Sequence, residues 1–181
     1  MQRAILAPPV LGGAPLDELK HWLAITRSDE DASLEALIRS ALETCEAFTG
    51  SLPIAASVEE IHPARRDWQG LYTCPVQAIT QTEGIPAEGA RIAFAPGDYE
   101  IEIDADGRGL FRLLKPSAAG RIAVRFSAGL APDWESLPDG LRHGILRLAA
   151  HNFRTRESAD GPNPPAAVAA LWRPWRRLRV A

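Results

Sequence analysis

The residues with the greatest chemical potential lie near the end of the chain. There "AALWRPWRRLRVA" sets Trp172 and Trp175 among Arg173, Arg176, Arg177 and Arg179, with Pro174 and Leu178 between them. Interleaved indoles and guanidiniums suit recognition rather than bond breaking, because arginine makes charge-assisted and cation–π contacts and both residue types dominate buried interfaces. Three readings of this segment stay open. Trp172 shares a helical stripe with Val168 and Leu171, so the tryptophans can fold back on the chain's own core. They can instead anchor a partner protein, or the arginines can meet nucleic-acid phosphates.

The other chemically capable residues lead to no reaction. On a helix His143, Arg147 and His151 share one face, and a cation between two would-be ligands opposes metal binding. His21 and His62 lack partners at ligand spacing. Cys45 falls on an apolar helical stripe and reads as a small core residue, while Cys74 precedes Pro75 with no histidine at an informative distance. "DADGRG", from Asp104 to Gly109, lacks the third ligand and the downstream glutamate of a calcium loop and reads as a hairpin turn. "GIPAEGA" and "GLAPDWE" lack the Gly-Lys-Ser/Thr context of a phosphate cradle, and no G-x-G-x-x-G follows a strand. The pairs Glu59–Glu60 and Glu100/Glu102 read as ordinary strand and surface acids. The expectation is a protein with no catalytic residue, no metal and no cofactor, and thus not an enzyme.

These residues need a scaffold, and 181 residues, 46% of them hydrophobic, suffice for one globular domain or one domain with a sizeable insertion. A net charge of −3 argues against nucleic-acid binding over the whole surface but allows a local basic patch. The charge is unevenly spread. Between positions 16 and 60, Asp17, Glu18, Asp29, Glu30, Asp31, Glu35, Glu43, Glu46, Glu59 and Glu60 face only Lys20, Arg27 and Arg39. From position 142 onward Arg142, Arg147, Arg154, Arg156, Arg173, Arg176, Arg177 and Arg179 meet only Glu157 and Asp160. Such asymmetry lets copies of a chain join one another or dock on an acidic partner. Asp29, Glu30, Asp31 and Glu35 on one side, and Arg147, Arg154 and Arg156 on the other, are therefore candidates for a subunit interface. With two cysteines, no signal-peptide pattern and no transmembrane run, the expectation is an intracellular, reduced protein without a membrane partner.

The elements follow from periodicity. After a Gly/Pro-rich leader, "LDELKHWLAI" predicts a short amphipathic helix and "TRSDED" a polar break with cap candidates. "ASLEALIRSALETCEAFTG" predicts a helix with Leu34, Leu37, Ile38, Ala41, Leu42, Cys45 and Phe48 on one stripe, stopping at Gly50. From about Leu52 to Ala131 short β-type runs alternate with turn signals, including a hairpin turning near Asp106-Gly107. "LPDGLRHGILRLAAHNFRTRE" returns to helical period with an apolar face wide enough to pack on two sides, and Gly144 within it predicts close approach by a neighbour. "AAVAALWRPW" predicts a short helix ending before Pro174. The fold class is α+β: a helical bundle of two N-terminal helices plus a long and a short C-terminal helix, over 1–51 and 132–181. A small antiparallel β domain is inserted over 52–131.

In this order the elements resemble the head-tail connector, or adaptor, proteins of long-tailed bacteriophages and phage-derived gene transfer agents. The opening carries a Leu-Lys-x-x-Leu element at Leu19, Lys20 and Leu23, an acidic break at Asp29 to Asp31, and an aromatic-Thr-Gly end at Phe48, Thr49 and Gly50. "CPVQAITQ" matches a Pro-Val strand entry, "PGDYEIEID" a Tyr-containing strand, and the stretch from Arg121 to Glu157 a strand, turn and long helix. "VAALWRPWRRL" matches a terminal helix of Leu-x-x-Pro-aromatic-Arg type. The resemblance implies a structural protein of the head-tail interface, present in the host cytoplasm before assembly. It implies a ring of twelve copies under the portal, extending the channel for DNA that passes without sequence-specific binding, and serving as platform for stopper and tail proteins. It further implies that the C-terminal segment, Trp172 to Arg179, docks on the portal. A stopper or tail-completion protein of the same neck, and a DNA-binding module using the arginine-rich tail, are the alternatives.

Overall fold

The computed structural model describes residues 2–155 and 164–177, which divide into two compact units. One, of residues 10–54 and 131–181, is helical; the other, of residues 1–9 and 55–130, is a β structure.

In the helical unit, α1 (Ala14–Leu23) begins with Pro15 in its first turn and ends at Ala24, whose φ of 57° leaves the right-handed helix. Helix α2 (Asp31–Thr49) buries Leu34, Ile38, Ala41, Leu42 and Cys45 along one stripe. It stops at Gly50, which takes φ 75° while its N–H reaches the Glu46 carbonyl at 2.8 Å, a left-handed cap that favours glycine. Helix α3 (Asp139–Arg154) buries Leu141, Ile145 and Leu148 in one row and Leu146, Ala149 and Ala150 in a second. This double stripe lets α3 touch α1, α2 and the short helix α4 (Ala166–Trp172) at once, so α3 is the centre of the bundle. Trp134, fully buried before α3, donates its indole N–H to Glu18 of α1 at 3.1 Å.

The β unit comprises β1 (Gln2–Ala7), β2 (Ala56–Pro63), β3 (Gln69–Gly70), β4 (Val76–Ile85), β5 (Ile92–Ala93), β6 (Tyr99–Ile103), β7 (Gly109–Leu113) and β8 (Arg121–Ala128). They form a five-stranded sheet in the order β1-β2-β8-β4-β5 and a three-stranded sheet in the order β3-β7-β6, with antiparallel pairing throughout. β8 is central and correspondingly apolar, burying Ile122, Ala123, Val124, Phe126 and Ala128. The β6–β7 turn is built as the Asp-Gly signal predicts: Asp104 Oδ1 accepts from the backbone N–H of Asp106 and Arg108, and Gly107 takes φ 72°.

One boundary departs from the sequence reading. The segment assigned to the helical bundle from position 1 contains β1, which pairs with β2, with one irregularity between Ile5 and Ala7, and so belongs to the β unit. A strand needs a partner, and β2 lies some fifty positions downstream, beyond any local periodicity.

Candidate functional site

The C-terminal segment is organised by two glycines on α3. Gly140 and Gly144 lie one helical turn apart, and a Cβ at Gly144 would overlap the Trp172 ring. The notch therefore receives the indole, whose N–H donates to the Leu141 carbonyl at 3.3 Å. Phe48 of α2 closes over it with ring centroids 6.0 Å apart. Trp172 is thus a core side chain, 0% exposed, which corrects its inclusion among partner-docking residues: the bundle already fills every face of its ring.

Beyond Trp172 the helix tightens into a 3-10 turn over Arg173–Trp175, at Pro174. Arg173, Pro174, Trp175 and Arg176 are all exposed, Trp175 least so at 36%. The Arg176 guanidinium lies over the Phe48 ring, 5.5 Å from its centroid, and the Arg177 backbone N–H donates to the Thr49 carbonyl at 2.8 Å. The chain is therefore held at the end of α2, where a peptide N–H and a cation meet the negative end of the helix dipole. Leu178 and Arg179 lie outside the described residues.

The proposed interface residues separate similarly. Asp29 and Glu35 are exposed. Glu30 is half-buried, and its carbonyl accepts from Leu34 N. Asp31 is engaged within the unit, pairing with Lys20 of α1 at 2.6 Å across the polar break. Arg147 and Arg154 project from one exposed face of α3, seven positions apart. On that face His143 sits edge-on against Trp22 at 5.3 Å. Arg156 lies outside the described residues.

Burial, helped by the nearby Glu46 charge, pushes the Cys45 thiol up to about 12, leaving almost no thiolate at neutral pH. Among the described residues no group of three or more His, Cys, Asp or Glu could hold a metal ion, and no helix is long and apolar enough to cross a membrane.

The β unit contains what sequence reasoning missed. Glu59 and Glu60, read as ordinary strand and surface acids, are both buried, on opposite faces of β2. Glu60 accepts from Tyr72 N, Thr73 N and Thr73 Oγ1 at 2.7–2.9 Å and pairs with His62 Nε2 at 3.0 Å. Burial alone would raise its carboxyl, but these hydrogen bonds outweigh burial and hold it below the ordinary range. His62 in turn stacks on Tyr72 and meets Phe111 edge-on, so the carboxylate ties the 71–75 loop into the core. On the other face Arg91 Nη1 and Nη2 bind Glu59 at 2.6 and 2.9 Å, and Arg125 Nε binds it at 2.8 Å. Arg91 holds the Glu59 carboxyl down to about 2, against the opposing effect of burial and with Arg125 adding to it. These are structural anchors, each acid saturated by donors from its own unit.

No known protein-family model matches the chain. No curated protein matches it either. Among solved structures, a chain in the neck of an empty gene transfer agent particle, computed with C6 symmetry, superposes with a TM-score of 0.79 and 26% identity. The match covers 100% of this chain and 98% of that one. This chain resembles a gene transfer agent neck component. A chain of the virion of a native gene transfer agent particle matches with a TM-score of 0.78 and 27% identity over 100% of this chain and 98% of that one. One in the neck of a native particle, computed with C12 symmetry, matches with a TM-score of 0.75 and 27% identity over 98% and 97%. The likeness spans both units, including the arginine–tryptophan segment.

Proposed function

We propose that this chain is a structural, non-enzymatic component of the neck of a phage-like particle, and within that neck the head-tail adaptor. The observation that carries the reading is the likeness to gene transfer agent neck components over 98–100% of the chain. On this reading twelve copies form a ring under the portal, extend the channel through which DNA passes without sequence-specific contact, and support the stopper and tail. The C12 and C6 symmetries of the neighbours' necks support a ring. A ring needs two different surfaces on each copy, and the acidic Asp29, Glu30 and Glu35 against the basic Arg147, Arg154 and Arg156 supply complementary charge.

The portal-docking element is the exposed run Arg173, Pro174, Trp175 and Arg176, continued by Leu178 and Arg179. Trp172 serves instead as its internal anchor, fixing where the run leaves the bundle. Trp175 is the natural hot spot, since an exposed indole flanked by guanidiniums gains about 2 kcal/mol or more when a partner desolvates it.

The test is to mix the purified chain with purified portal of the same particle and measure mass by light scattering. A portal carrying a ring of chains is expected. Binding only to a portal already bearing another neck ring would reassign the chain as a stopper or completion protein, and no binding to either would overturn a neck role. DNA affinity falling steeply with salt, in the absence of portal binding, would favour the DNA-binding module.

A further inference from the structure

The chain passes between its two units three times, after positions 9, 54 and 130, and the first passage differs from the others. The second and third lie side by side: Ile54 forms a parallel bridge with Ala131, whose N–H donates to the Pro53 carbonyl at 3.1 Å. The first, residues 8–13 (PPVLGG), has no such stitching. Among the described residues no backbone-to-backbone hydrogen bond involves residues 8–12. Val10 is 86% exposed, and Gly12, at φ 64°, has open space where a Cβ would stand. This linker joins the helical unit to β1, which pairs with β2 alone at the end of its sheet and is exposed at every position but Arg3.

The strand beneath is the reverse. β2 is buried along nearly its whole length, so β1 can leave at little cost to itself, but the edge it vacates must be filled again. What fills it is fixed by register: Ile5 stands opposite Val58, Arg3 opposite Glu60 and Ala7 opposite Ser57. A β1 strand from any copy of the chain meets that requirement equally well.

We propose that in the assembled ring β1 of one copy leaves its own sheet and takes the same place beside β2 of the neighbouring copy. The exchanged strand remakes every contact it gave up, which makes such an exchange an inexpensive way to link identical chains. In a free chain its own β2 wins, being held at high effective concentration; in a ring the neighbour's β2 is held at a comparable one. Residues 8–13 reach about 20 Å when extended, which bounds how far the neighbour's edge lies from the start of α1. Pro8 and Pro9 favour that extended form. Only the linker gains new surroundings on exchange, and Val10 is the apolar side chain there that lacks cover within one chain. Each copy gives one strand and receives one, so the exchange runs head to tail and closes with the ring. The inference rests on the ring reading for the neighbour; the register stands without it.

The test uses the double variant Ala7→Cys with Ser57→Cys, whose paired positions lie about 4.5–5.5 Å apart between Cα atoms, within disulfide range. Both native cysteines are buried. Reduced protein assembled on portal and then oxidised should run as a ladder of covalently joined chains on a non-reducing gel. Protein oxidised before portal is added is locked within each chain and should form no ring until reductant is supplied, which shows that the variant is folded. Rings formed as readily by the locked protein, or intrachain links alone after assembly, would overturn the exchange and leave the adaptor reading intact. If reduced protein forms no ring either, the portal reading falls, and the exchange is decided by refolding Ala7→Cys and Ser57→Cys single variants together at high concentration. An interchain disulfide there sustains it, and its absence overturns it.

Discussion

In the helical unit the tightest packing is a matter of shape, an indole seated where Gly144 leaves room on α3; in the β unit the most buried positions include a charge, Glu60, wrapped in donors. The first arrangement tolerates changes of pH and salt and tolerates no change of volume, because dispersion and apolar burial depend on fit. The second reverses those sensitivities, since a buried carboxylate is stable only while it is ionised and all its lone pairs are satisfied. One chain thus holds a shape-locked unit, which carries the arginine–tryptophan segment, and a charge-locked unit.

The contrast breaks first at the notch. Trp172→Ala should cost about 3–5 kcal/mol in urea unfolding followed by the helical signal, with a cavity left between α2, α3 and α4. A cost near zero would mean that the notch is not part of the core. Glu60→Ala should cost about 3 kcal/mol, because Thr73 Oγ1 and the Tyr72 and Thr73 amides lose their acceptor and His62 Nε2 loses its hydrogen-bond partner. Amide exchange should report this loss in the β unit.

Acid distinguishes the units more finely. The Glu59 carboxyl sits at about 2 against an ordinary 4.5, and Glu60 is shifted in the same direction. A depressed folded value means the stabilisation is complete above 4.5 and is lost as pH falls from there toward 2. Amide protection in the β unit should therefore decline over that window before protection in the helical unit does. Simultaneous loss would show that the units do not differ as argued. The smallest effect on stability belongs to the exposed run. Trp175→Ala with Arg176→Glu should cost about 1–2 kcal/mol, since Trp175 is only 36% exposed and Arg176 lies over Phe48 at the end of α2, while abolishing the light-scattering complex with portal. If the melting temperature drops sharply instead, the run belongs to the core.

Much of the helical unit was legible because its determinants are local. The apolar rows of α2 and α3, the glycine that stops α2 and the glycine that admits a neighbour on α3 all act within a few residues of where they stand. The Asp106-Gly107 turn was legible for the same reason. β1 was not, since its hydrogen bonds lie with a strand far along the chain. Glu59 and Glu60 were misread because alternation says only that adjacent strand residues face opposite ways; it cannot say that Arg91 and Arg125 wait on one face and Thr73 and His62 on the other.

The candidate site shows the same division at closer range. By itself the sequence determined that Trp172 is on an apolar helical stripe, that the helix ends before Pro174, and that positive charge gathers around and beyond it. Only the tertiary structure decided that Trp172 and Trp175 have different fates. The Gly144 notch accepts one ring and the 3-10 turn carries the other outward, while Thr49 holds Arg177 through a backbone hydrogen bond. The physical reason is that residue type sets what a side chain is able to bind, whereas burial depends on which surfaces arrive from elsewhere in the chain.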